Sequence, residues 1–176
     1  IRSFCVPPSF RFLIAKFAPF FNDNYYLTGT MLIPVLASLF ILPLGVYFFM
    51  IGVPVPGLLG GLIGTFASAY YMRSSIGRID TDMLNLFFPM IISLFVLFAI
   101  RATTERNVLL FSVCSGLSLF VFHWWYAKGG FALAYFMVLI ISLFVKRARF
   151  RTVLISSFLF VLCTQPSIFM SGTNSI

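Results

Sequence analysis

Residues without charge form long stretches along this chain, at 24–72, 83–100, 107–127, 129–145 and 152–176. A transmembrane helix needs about 20 apolar residues, within a range of roughly 17 to 25. In lipid the backbone must pair with itself, which leaves helices or a closed barrel. The stretches lack the polar–apolar alternation of a barrel strand. The pattern therefore predicts an all-α, polytopic transmembrane helical bundle.

The longest stretch must hold two helices, because the sequence GVPVPG at 52–57 interrupts it. Pro54 and Pro56 remove hydrogen-bond donors and push the preceding residues out of the α region. The predicted helices are 27–50, kinked by Pro34 and Pro43, and 57–72. Asn22, Asp23 or Asn24 can cap the first of them.

Two further helices are predicted at 83–100 and 108–126, which makes four firm spans. Residues 129–145 and 152–170 form a C-terminal apolar hairpin around the basic turn KRARFR, and they raise the possible number of spans to six. The predicted regions are 1–26, which is basic with no acid before Asp23, the four-span core 27–126, and the hairpin 127–176.

The distribution of Lys and Arg bears on topology, because short cytoplasmic loops are enriched in both. With six spans, six basic residues lie on each side, and the rule gives no orientation. If 129–145 does not cross, the division becomes ten to two. The charge pattern favours this second arrangement, in which the hairpin enters the leaflet on the side of the N-terminus, and leaves six spans open.

Composition agrees with a lipid environment, since 61% of the residues are hydrophobic and only 9% are charged, with a mean hydropathy of +1.06. A soluble domain carries roughly 25% charged residues. The net charge of +8 does not indicate nucleic acid, because the basic residues are spread among the ends of the apolar stretches. Cys5, Cys114 and Cys163 are too dispersed to indicate a disulfide framework or a metal cluster.

Few residues are available for chemistry. The acids are Asp23, Asp80, Asp82 and Glu105, all outside the apolar stretches, and His123 is the single histidine. No buried acid–base pair, metal site or haem ligand pair can be assembled from them. The sequence therefore predicts a protein that is not an enzyme, with no catalytic residue, metal or cofactor.

Three groups of residues are predicted to pack or to meet the membrane. The helix-packing stripe, where small side chains allow close approach, comprises Gly57, Gly60, Gly61, Gly64 and Ser68. The interfacial group comprises Tyr25, Tyr26, His123, Trp124, Trp125 and Tyr126. The lipid-headgroup cluster, which also indicates bound phospholipid, comprises Lys146, Arg147, Arg149 and Arg151.

Short motifs at 20–126 resemble the prenylated Rab acceptor family of small four-span membrane proteins. They are FFNDNYY before the first helix, GRIDTDML before the third and CSGLSLFVFHWWY at the end of the fourth. The resemblance implies a non-enzymatic adaptor in ER- or Golgi-type membranes that binds prenylated small GTPases in vesicle trafficking. The predicted partner-binding residues lie in the loop before the third helix: Arg73, Gly77, Arg78, Asp80 and Asp82. The C-terminal hairpin is absent from that family's pattern.

Two alternative functions remain open. The basic N-terminal segment and the glycine stripe also fit an accessory structural subunit of a larger membrane complex, such as a respiratory or ATP synthase complex of the mitochondrial inner membrane. A small facilitator for a neutral solute is the other alternative, because it would need no ionisable group inside a span.

Overall fold

The computed structural model describes residues 8–68, 72, 84–126 and 130–165, and the regular structure in these ranges is helical. The helices are α1 Pro8–Phe17, a 3₁₀ helix Ala18–Phe21, α2 Tyr25–Ser38, α3 Ile41–Ile51, α4 Pro54–Thr65, α5 Phe87–Arg101, α6 Glu105–Trp125, α7 Gly130–Val145 and α8 Phe150–Thr164. The all-helical prediction is confirmed. The chain divides into two compact units, Ile1–Phe87 and Phe88–Ile176, which are described separately.

The first unit enters α2 through a tight turn. Asn22 and Asp23 adopt φ values of 53° and 56°, a left-handed conformation that Asn and Asp tolerate better than most residues. The Asn24 side-chain oxygen then accepts a hydrogen bond from the Leu27 N–H at 3.1 Å. Of the three predicted capping residues, Asn24 therefore fulfils that role.

The predicted helix 27–50 is divided into α2 and α3. Pro43 has no N–H to donate to the Leu39 carbonyl, so the regular four-residue step fails there. The Leu42 N–H donates to that carbonyl instead, at 3.2 Å, in a three-residue step. Pro34 is accommodated inside α2. The apolar segment Tyr25–Ile51 still continues across the break for 27 residues.

Helices α3 and α4 form an antiparallel hairpin. Gly52 ends α3 with a φ of 91°, a conformation that glycine adopts without steric cost. Pro54 then starts α4, three residues before the predicted start, because a missing N–H is tolerated in the first turn of a helix.

The second unit begins with α5 and α6, which run antiparallel. Near the start of α5, the Phe88 ring lies 5.5 Å from the Phe122 ring, and near its end the Phe98 ring lies 5.2 Å from the Phe111 ring. These contacts bury apolar rings along the length of both helices, and Phe88 and Phe122 are almost fully buried.

Helices α6 and α8 run parallel and approach closely. Arg149 contacts Glu105 where both helices begin. Near the middle of α6, a Cβ placed on Gly116 would lie 2.9 Å from the Phe160 carbonyl oxygen. The absence of a side chain at Gly116 therefore allows the two backbones to pack together.

Helix α7 runs parallel to α5. The Tyr135 hydroxyl, early in α7, donates to the Pro89 carbonyl at 3.0 Å, and Lys146, just after α7, binds carbonyls at the end of α5. The basic turn therefore lies where α5 ends and α6 begins. This is the geometry of the six-span alternative, and it differs from that of a hairpin that returns to the side it entered.

Within the described ranges, two segments have the length and composition of a membrane span, Tyr25–Ile51 and Glu105–Trp125. The remaining apolar helices are shorter. Many large apolar side chains of the described residues point outward and are more than half exposed, among them Phe49, Ile63, Val145 and Phe158. Such an apolar surface is expected where lipid is the solvent.

Candidate functional site

Six basic side chains gather at the end of the second unit where α5 and α7 end and α6 and α8 begin. They are Arg101, Arg106, Lys146, Arg147, Arg149 and Arg151. We call this end of the unit the basic end. The sequence predicts the last four as a headgroup cluster, and the fold adds Arg101 and Arg106 from the connection between α5 and α6.

Lys146 anchors the basic end to α5. Its Nζ donates to the Ala99 carbonyl at 2.9 Å and to the Ala102 carbonyl at 2.6 Å. The last carbonyls of a helix accept no hydrogen bond from within the helix. A cation next to them donates the missing hydrogen bonds and interacts favourably with the helix dipole. Partial burial lowers the pKa of Lys146 below its usual value, because it disfavours the charged ammonium.

An ion pair joins the starts of α6 and α8. Arg149 Nη1 lies 3.1 Å from Glu105 Oε1, and both side chains are largely exposed. A solvated pair of this kind contributes little to stability. The contact shows that the basic turn lies beside the connection between α5 and α6.

A cavity of about 160 Å³ opens between this connection and the basic turn. Its polar lining residues include Thr104, Glu105, Lys146, Arg147, Arg149 and Thr152. Thr104 caps α6, and its hydroxyl oxygen accepts from the Asn107 N–H at 3.4 Å. Three basic side chains and one acidic side chain give the lining a net positive charge.

The loop predicted to bind a partner lies outside the described residues. This applies to Arg73, Gly77, Arg78, Asp80 and Asp82. Their partner-binding role stays a prediction from the sequence.

The glycine stripe divides into two rows on α4. Gly57 and Gly61 are buried and face Phe48 and Leu44 of α3, so their contacts lie within this chain. A Cβ on Gly60 or Gly64 would meet no atom within 4 Å. Ser68 is exposed.

The interfacial aromatic residues differ in exposure. Tyr25, Tyr26 and Trp124 are more than half exposed, and their interfacial role stays a prediction. Trp125 is only 5% exposed, because neighbouring residues of a helix point in directions about 100° apart and it faces the interior. His123 and Tyr126 are intermediate.

Sequence reasoning did not identify the seam between α6 and α8 as a packing site. Ser112 and Gly116 are four residues apart on one face of α6, a spacing of small residues that is typical of close helix contacts. Both are buried, as are Ser156 and Thr164 on α8. The Thr164 hydroxyl donates to the Phe160 carbonyl at 2.8 Å.

Metal chemistry gains no support from the placed side chains. Nowhere in 8–68, 72, 84–126 and 130–165 do three His, Cys, Asp or Glu side chains gather in a way that could hold an ion. Asp80 and Asp82 lie outside those ranges.

Comparison with protein families gives a match that covers nearly the whole chain. Residues 10–174 match the family described as "Oligosaccharyl transferase STT3, N-terminal". No curated protein and no solved structure matches the chain significantly.

This match overturns the resemblance to the prenylated Rab acceptor family. The motifs that carried the resemblance are short, and they lie among apolar stretches that align between unrelated membrane proteins. The oligosaccharyl transferase match instead includes the C-terminal hairpin, which the acceptor pattern left unexplained. The prediction of a non-enzymatic adaptor is therefore wrong, and the match gives no support to the mitochondrial accessory subunit or the solute facilitator. A prenylated GTPase partner, a trafficking role and a mitochondrial location likewise have no support.

The prediction that the protein is not an enzyme was also wrong, because the matched family consists of transferases. That prediction rests on the lack of an acid or a base within the apolar stretches. A catalytic group can equally lie in a loop at the membrane surface, where a carboxylate keeps its hydration and its charge.

Proposed function

Since the chain belongs to the oligosaccharyl transferase STT3 family, matching the N-terminal region of its members, we propose that it forms part of a membrane-embedded enzyme that transfers oligosaccharides. The observation that carries this proposal is the match over residues 10–174, which spans both compact units. The protein is an integral membrane protein; we place it in the ER membrane, with other membrane subunits of an oligosaccharyl transferase complex as its partners.

We further propose that Asp80 and Asp82 supply this chain's carboxylates to the transfer reaction. Glycosyl transfer generally uses carboxylates to move a proton or to stabilise developing charge. The chain has four acids. Glu105 is paired with Arg149 at the basic end, and Asp23 belongs to the tight turn before α2. Asp80 and Asp82 are the two acids that stand one residue apart.

The fold of the second unit supports an orientation for this acidic pair. The pair precedes the N-terminal end of α5 in the sequence, whereas the basic end lies at the C-terminal end of the same helix. Helix α5 is 15 residues long, which corresponds to about 22 Å. We propose that the acidic pair lies on the side of the membrane opposite to the basic end.

Depletion of the chain from its native cells tests the proposed function. We expect secreted glycoproteins to lose attached oligosaccharide and to migrate faster on gels. Expression of the wild-type chain should restore the original migration, and glycosidase treatment should abolish the difference between the samples. Secreted glycoproteins whose gel mobility is unchanged after depletion would contradict the proposal.

A further inference from the structure

The cavity at the basic end has the charge and the position of an anion site. Lys146, Arg147 and Arg149 contribute positive charge to its lining, and Glu105 is the one acid there. The cavity lies between helix ends, and the ends of membrane helices generally lie near the lipid headgroups. A phosphate group is the anion most abundant at that depth.

Two helix N-termini meet at the same end, because α6 and α8 run parallel from the Glu105–Arg149 contact. The first N–H groups of a helix lack acceptors within it and carry partial positive charge. Thr104 caps α6 through its side chain, but α8 has no side-chain cap in the described part of the chain. Its first turn is therefore suited to an anion.

The three basic side chains have different roles. Lys146 donates to the carbonyls of Ala99, in the last turn of α5, and of Ala102, just after it, so its donors are largely used. Arg149 contacts Glu105 through one nitrogen, and a guanidinium has five N–H donors. Arg147 ends α7 with a φ of 57°. A left-handed conformation costs a residue other than glycine about 1 to 2 kcal/mol. The backbone of the turn therefore favours glycine at this position. It does not explain why an arginine is found there.

We propose that this cavity binds one phosphate group, held by the Arg147 and Arg149 guanidinium groups and by the first turn of α8. Both a lipid headgroup and inorganic phosphate carry this chemistry. The inference is independent of the transfer activity, because none of these residues belongs to the acidic pair.

Binding measurements on the full chain, purified with its native partners in a neutral detergent, test the proposal. The probe is a fluorescent short-chain phosphatidic acid, and inorganic phosphate is the competitor. Arg147→Asn removes the guanidinium group, and asparagine tolerates the left-handed conformation of the turn. This variant should weaken binding about fivefold. Lys16→Asn removes one positive charge from α1, outside the cavity lining, and it should change binding less than about twofold.

Glu105→Gln supplies a test of opposite sign. It removes the acid from the lining and frees Arg149, so binding should strengthen about two- to threefold. Displacement of the lipid by equimolar phosphate would identify free phosphate as the ligand, and retention of the lipid would identify a headgroup. Equal losses for Arg147→Asn and Lys16→Asn, no saturable binding, or no gain for Glu105→Gln would overturn the proposal.

Discussion

Gly116 of α6 and Phe160 of α8 are in backbone contact, with the Phe160 carbonyl oxygen 2.9 Å from the position of a Cβ on Gly116. A carbonyl oxygen within a helix cannot move aside without disturbing that helix. Gly116→Ala should therefore destabilise the second unit by about 1 to 3 kcal/mol, measured as a lower unfolding temperature in detergent. Gly60→Ala is the control, since its Cβ would enter open space. Equal unfolding temperatures for both variants would contradict the contact.

The two rows of glycine on α4 should respond differently to a large side chain. Gly61→Leu would clash with Leu44, whose Cδ2 lies 2.9 Å from an added Cβ, and should lower the yield of folded protein. At Gly64 an added Cβ would meet no described atom within 4 Å, so Gly64→Leu should leave that yield unchanged. The yield is measured by size-exclusion chromatography in detergent. A similar loss of monodisperse protein for Gly64→Leu would show that the face of α4 with Gly60 and Gly64 is also packed against a neighbour.

Lys146 should stabilise the end of α5 through its two carbonyl contacts. Lys146→Met keeps an apolar stem but removes both hydrogen bonds, and the expected cost is about 1.5 to 3 kcal/mol. Arg151→Met is the matched control, because Arg151 is exposed and lies outside the cavity lining. Hydrogen exchange of the amides in the last turn of α5 reports the effect. Exchange rates that stay at wild-type values in Lys146→Met would show that the contacts contribute nothing.

The parallel arrangement of α5 and α7 predicts where two loops lie relative to the membrane. On a cysteine-free background, Arg147→Cys and Ser75→Cys should react with an impermeant thiol reagent from opposite sides of sealed vesicles. Labelling of both from one side would instead support the hairpin that the charge count favours.

The sequence predicts some of these features and leaves others open for physical reasons. Uncharged stretches locate α5 and α6 to within a few residues, because lipid requires long apolar helices. Pro43 predicts an irregularity in the helix. Whether the helix is kinked or divided there depends on the hydrogen bond from the Leu42 N–H to the Leu39 carbonyl. The position of the basic turn depends on tertiary contacts of Lys146, which no count of loop charges includes.

The chemistry was harder to predict than the fold. The pairing of Asp80 with Asp82 is visible in the sequence, yet a two-residue acidic motif occurs in unrelated proteins and does not specify a reaction. The family match covers residues 10–174, nearly the whole chain. A match of this length separates the transferase family from an adaptor family that shares only short motifs.

The most direct test of the proposed function is the oligosaccharide transfer activity of Asp82→Asn, measured on a labelled acceptor in membranes that lack the endogenous chain. Asn keeps the size of the side chain but removes its charge. We expect a loss of about 100-fold or more, with a similar loss for Asp80→Asn and wild-type activity for Asp23→Asn, all at equal protein levels. Wild-type transfer by the double variant at Asp80 and Asp82 would contradict a role for this acidic pair in the reaction.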